Sequence, residues 1–97
     1  MLQLEATVHW ETTEEGGLTT RAFSGIRPSF SVQGDLITCS VHRRDGDKEI
    51  LLGHDYNVLL KLPYGERYGE FITPGMRFTL NTGRRVVGTG VVEAVLR

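Results

Sequence analysis

The residues able to do chemistry in this chain are few and scattered. His9, His42 and His54 fall in separate segments, and Cys39 is the only cysteine. A metal site needs three or four convergent ligands, and no spacing among these groups suggests one, so neither metal nor cofactor is expected. His9 and His42 fall on the outward faces of alternating segments and read as exposed side chains. Glu11, Glu14 and Glu15 cluster in one turn, while Asp35, Asp45 and Asp47 sit where carboxylates hydrogen-bond the local backbone. No pair of carboxylates is spaced for acid–base work. Ser24 has no base that the sequence positions beside it. Neither GxxxxGK[ST] nor GxGxxG occurs. Gly83-Arg84-Arg85-Val86-Val87-Gly88 carries glycines and arginines but lies between two strands, without the helix N-terminus a phosphate loop requires. The expectation is a non-catalytic protein without a small-molecule substrate.

The arginines are the groups left to meet a partner. Arg43-Arg44 and Arg84-Arg85 are adjacent pairs, and Arg27 stands alone. Neighbours in a strand point to opposite faces, so a pair makes a patch only in a turn. Such charges also discourage edge-to-edge association of strands. Eleven Lys and Arg against twelve Asp and Glu leave a net charge of −1. Any contact with nucleic acid must therefore come from a local patch, because no global positive field exists to supply nonspecific affinity.

The elements that must position these residues are strands. Leu2, Leu4, Ala6, Val8 and Trp10 alternate with polar residues, the period of a strand with one buried face. Glu14 to Gly17 breaks that pattern. Phe23 to Phe30 predicts a structured loop running into a strand, and Gln33-Gly34-Asp35 a turn. Ile37, Cys39 and Val41 predict one strand; Tyr56, Val58, Leu60 and Leu62 another, stopped by Pro63. Asp45-Gly46 marks a short connection between these two. Met76, Phe78 and Leu80 alternate before a turn at Thr82-Gly83-Arg84. The β-branched run from Arg85 to Leu96 carries Gly88 and Gly90, which predicts a bend or a close backbone approach. No helical periodicity, repeat, linker or second domain is seen. Cys39, within an alternating apolar pattern, reads as a buried structural thiol. No apolar run approaches a membrane span, and Met1–Glu5 lacks the features of a signal peptide; a reduced cytoplasmic setting is expected.

Two stretches resemble one family. Glu14-Glu15-Gly16-Gly17 followed by Phe23-Ser24-Gly25-Ile26-Arg27-Pro28-Ser29-Phe30 is similar to the EEGG and FSGYRPQF segments opening the third domain of translation elongation factor Tu. Gly75–Leu80 with Gly83–Val92 resembles that domain's GLRFAIREGGRTVGAGVV stretch. Leu4–Val8 and Leu51–Val58 resemble its FEAEV and MPGDNV segments, so the likeness runs through nearly the whole chain in order. The resemblance implies an all-β fold, a six-stranded antiparallel closed β-barrel. With Met1 just before the first strand and Arg97 at the family's usual end, it also implies a stand-alone domain without the GTPase domain, and hence without GTP binding or hydrolysis.

In that family the domain contacts the T-stem of tRNA, the exchange factor Ts and the GTPase domain. The corresponding candidate binding residues are Arg27, Ser29, Asn81, Thr82, Gly83, Arg84 and Arg85. Ser29 replaces the family's Gln, and Asn81-Thr82-Gly83 replaces its Arg-Glu-Gly, so a protein partner is favoured over tRNA. The competing expectation is a self-associating structural barrel, with Leu59, Tyr64 and Tyr68 as its apolar contacts.

Overall fold

The computed structural model describes residues 1–18 and 21–96; Thr19, Thr20 and Arg97 lie outside the description. Strand β1 (Leu2–Trp10) behaves as period two dictates, burying Leu2, Leu4, Ala6, Val8 and Trp10 and half-exposing the residues between. It is an interior strand of an antiparallel sheet, and two long strands flank it. These are β9 (Arg85–Leu96) on one side and β7 (Asp55–Leu62) on the other. Beyond β9 lie β8 (Arg77–Thr82), β3 (Ser29–Val32) and β4 (Asp35–Thr38); beyond β7 lies β5 (Ser40–Arg43). The seven strands curl into a half-barrel. A separate short pair joins β2 (Ala22–Phe23) to β6 (Glu49–Ile50). Among the described residues there is no α-helix, only a 3₁₀ turn at Gly65–Tyr68, and no helix long and apolar enough to cross a membrane.

The single strand expected through Ile37, Cys39 and Val41 is broken at Cys39. Its halves, β4 and β5, stand at opposite ends of the sheet's order. The cause is a change of partner. The Cys39 N–H donates to the Pro28 carbonyl at 3.2 Å and the Val41 N–H to the Ile26 carbonyl at 3.0 Å. The chain therefore leaves β3, runs beside residues 26–28, and reaches β7. The strand count in the main sheet is thus seven rather than the expected six.

The turns follow from backbone chemistry. Gln33 and Gly34 both have positive φ, 50° and 79°, the requirement of a two-residue type I′ hairpin. Inside, Phe30 packs on Phe78 with ring centroids 4.6 Å apart, and each large apolar side chain so buried contributes about 1.5–3 kcal/mol. The close approach expected at the paired glycines is found at Gly90. A Cβ there would lie 2.5 Å from Cζ of Phe78 and 2.7 Å from the Thr7 carbonyl oxygen.

Candidate binding surface

Six of the seven candidate residues gather around the β8–β9 hairpin. Thr82 pairs with Arg85, leaving Gly83 and Arg84 as a two-residue loop. Gly83 takes φ +60°, which suits a first loop position that only glycine adopts cheaply. Thr82, Gly83, Arg84 and Arg85 are exposed. Ser29, at the start of β3, pairs with Asn81. Asn81 keeps the same face of β8 as Thr79, as alternation has it, yet it is only 8 % exposed, and its Oδ1 accepts from Thr79 Oγ1 at 2.7 Å. The ladder is irregular beside it, where Val87 enters β9 as an extra residue opposite Leu80 and Asn81. Asn81 is thus placed to hold the hairpin base.

Arg27 lies elsewhere. It is exposed in the segment beside the β4–β5 junction and opens onto a groove with Ser40, His42 and Lys61.

The two motifs distant in sequence meet at the hairpin. The Glu14–Gly17 turn is tied by Glu15 Oε1, which accepts from the Thr12 N–H and hydroxyl at 2.9 and 3.0 Å. These hydrogen bonds hold the Glu15 carboxyl below its ordinary pKa. Gly17 admits no side chain, since a Cβ would meet the Glu11 carbonyl oxygen at 2.5 Å. Arg85 Nη1 then donates to the Gly17 carbonyl at 3.2 Å, and the Glu11 N–H to the Val87 carbonyl at 3.0 Å. The hairpin and the acidic turn form one surface of mixed charge.

Internal bonds occupy some of the arginines and leave Arg27, Arg67, Arg77 and Arg84 without an ion pair among the described residues. Arg43 lies over the Tyr56 ring at 4.5 Å and donates to the Glu49 carbonyl, with Asp45 and Asp47 at its other end. Arg44 pairs with Glu5 at 3.3 Å, and Arg21 with Glu49. These three, with Arg85, are occupied by the fold.

Sequence reading missed a polar row on the sheet's outer face. Thr79, Thr89, His9 and Asp55 are cross-strand neighbours on β8, β9, β1 and β7. His9 Nδ1 lies 2.6 Å from Asp55 Oδ1, a hydrogen bond that raises the imidazole pKa above its ordinary value. Acid, imidazole and hydroxyl follow one another across this row. The pair is open to water, with side chains 39 % and 65 % exposed, so it lacks the low-dielectric setting that activates such an arrangement. His9, Glu11 and Glu15 also bring ligand atoms within 4.8 Å of one another, though His9 is engaged by Asp55 and Glu15 by Thr12. The i, i+2 spacing of His9 and Glu11 was readable; the return of Glu15 through the turn was not.

The apolar contacts of the self-association reading are dispersed. Leu59 is half-buried between Glu5 and His42 in its row, Tyr68 donates its hydroxyl to Asp35 at 2.7 Å, and Tyr64 is exposed. No model of a known protein family matches the chain.

Proposed function

We propose that the chain is a non-catalytic binding module of the elongation factor Tu third-domain type, docking on a protein partner of the translation apparatus rather than on tRNA. The observation that carries this reading is the junction of the two resembling motifs at one exposed place. The Arg85–Gly17 hydrogen bond fastens the β8–β9 hairpin to the acidic turn and leaves Arg84 projecting without an ion-pair partner among the described residues. Rigid elements beneath exposed loop residues suit recognition.

The barrel implied by the resemblance draws support from the Cys39 break. Counted as one strand bent at Cys39, residues 35–43 pair with β3 in their first half and β7 in their second. On that count the sheet order has six members, in keeping with the six-stranded barrel that the resemblance implies. A protein partner is favoured because Ser29 and Asn81 supply no positive charge, and a phosphate contact without one loses the stronger, charge-assisted bond.

The test is capture of partners by the tagged chain, with and without ribonuclease, beside the Arg84→Glu variant. A discrete protein that resists ribonuclease and is lost with Arg84→Glu supports the reading. Capture of tRNA, abolished by ribonuclease, reassigns the surface to RNA. Capture unaffected by Arg84→Glu removes the hairpin from the site.

A further inference from the structure

The change of strand partner at Cys39 creates a feature the docking surface does not use. Ile26 bridges Val41 in antiparallel sense, which sets Arg27 opposite Ser40, and Ser40 in turn pairs with Lys61. Arg27, Ser40 and Lys61 thus form one row across three adjacent backbones. With strands about 4.7–4.9 Å apart, the two basic side chains flank the serine hydroxyl from roughly 10 Å apart. His42, two residues along β5, faces the same way and has Nε2 3.1 Å from Ser40 Oγ. A groove of about 400 Å³ opens over this row, lined also by Thr38 and Pro63, and none of its lining residues is acidic.

The charge here is uncompensated. Arg27 and Lys61 make no ion pair among the described residues, in contrast to Arg21, Arg43 and Arg44. The carboxylate in the adjoining His42–Leu59–Glu5 row is already held by Arg44. Burial and the neighbouring Lys61 charge both hold the His42 pKa below its ordinary value, as expected where positive charge lacks a counter-ion. Two cations of different geometry, a planar fork and a point charge, beside two hydroxyls match a compact oxyanion with several acceptor oxygens.

We propose that the groove over the β4–β5 junction binds a phosphate monoester dianion, with Arg27 and Lys61 clamping it from either side and Ser40, Thr38 and His42 hydrogen-bonding from the floor. A dianion answers both cations, whereas a phosphodiester carries one charge. This site is independent of the hairpin surface: Arg84→Glu leaves it unchanged, so failure of one assignment does not touch the other.

The experiment is an NMR titration of the whole chain with phenyl phosphate, inorganic phosphate and dimethyl phosphate. The expected result is saturable shifts at Arg27, Ser40, Lys61 and the His42 ring with phenyl phosphate, and binding at least about tenfold weaker for dimethyl phosphate. Arg27→Met and Lys61→Met should each weaken phenyl phosphate about tenfold, the loss of one charge-assisted contact, with the spectrum otherwise retained. Arg27→Lys keeps the charge and recovers part of that loss. Inorganic phosphate equal to phenyl phosphate assigns the free ion as the source; tighter phenyl phosphate assigns an ester. Absence of saturable shifts, or shifts indifferent to both methionine variants, overturns the proposal. Equal binding of dimethyl phosphate also overturns it, and points to a nucleic-acid backbone instead.

Discussion

Replacing Gly90 with alanine tests the packing argument most directly. Gly90 faces Val8 on one neighbouring strand and Phe78 on the other. An added Cβ would lie 2.5 and 2.9 Å from two atoms of the Phe78 ring and 2.7 Å from the Thr7 carbonyl oxygen. Phe78 is 4 % exposed and packed on Phe30, and the Thr7 carbonyl belongs to the backbone of an interior strand, so neither yields cheaply. Overpacking of this kind costs about 1–3 kcal/mol. Against it stands about 0.4–1 kcal/mol gained by restricting the unfolded chain. The net expectation is a loss of about 1–2 kcal/mol, or roughly 5–10 °C in Tm for a domain of this length. Gly88→Ala is the control, because its Cβ would meet the His9 carbonyl oxygen at a milder 3.2 Å; it should stay within about 0.5 kcal/mol of the parent, a shift small enough for a slight backbone adjustment and the entropic gain to offset each other. Urea unfolding followed by fluorescence reads both, since Trp10 is the only tryptophan and fully buried. Phe78→Leu combined with Gly90→Ala should cost less than the sum of the single changes by at least about 0.5 kcal/mol, because the ring contact is shared. A Gly90→Ala variant as stable as the parent, or a Gly88→Ala variant equally damaged, would refute the reasoning.

Three further outcomes follow from the geometry. Burial pushes the Cys39 thiol pKa up to about 12, so a thiol reagent at pH 8 should label the native chain far more slowly than the chain in urea; complete labelling of native protein on mixing would contradict the buried placement. The raised His9 pKa means its pair with Asp55 stabilises the fold fully below the ordinary histidine value, and that contribution disappears as pH rises through the folded value. For so exposed a pair the effect is a few tenths of a kcal/mol, and Asp55→Asn should flatten it in urea midpoints compared at pH 5.5 and 8. Arg84→Glu should abolish partner capture while leaving Tm within about 2 °C, the usual effect of a surface change, whereas Arg85→Met should cost about 1 kcal/mol through the lost bond to Gly17.

Alternation by itself determined which residues of β1 and β7 face the core, because side chains in a strand have a period of two whatever the strand pairs with. It determined the turn at Gln33-Gly34 and the hairpin at Gly83 for a similar reason: glycine marks backbone that other residues avoid. Parity carries no information about partners. That Val87 sits as an extra residue opposite Leu80 and Asn81 is a matter of pairing, and that Cys39 ends one ladder and begins another required residues 26–28 to take over its hydrogen bonds. Arg43 and Arg44 read alike in sequence with Arg84 and Arg85, yet only packing shows that Arg84 alone of the four is left without a partner among the described residues. The row of Arg27, Ser40 and Lys61 joins three segments far apart in the chain, and such convergence is decided by strand order, which only the tertiary structure sets.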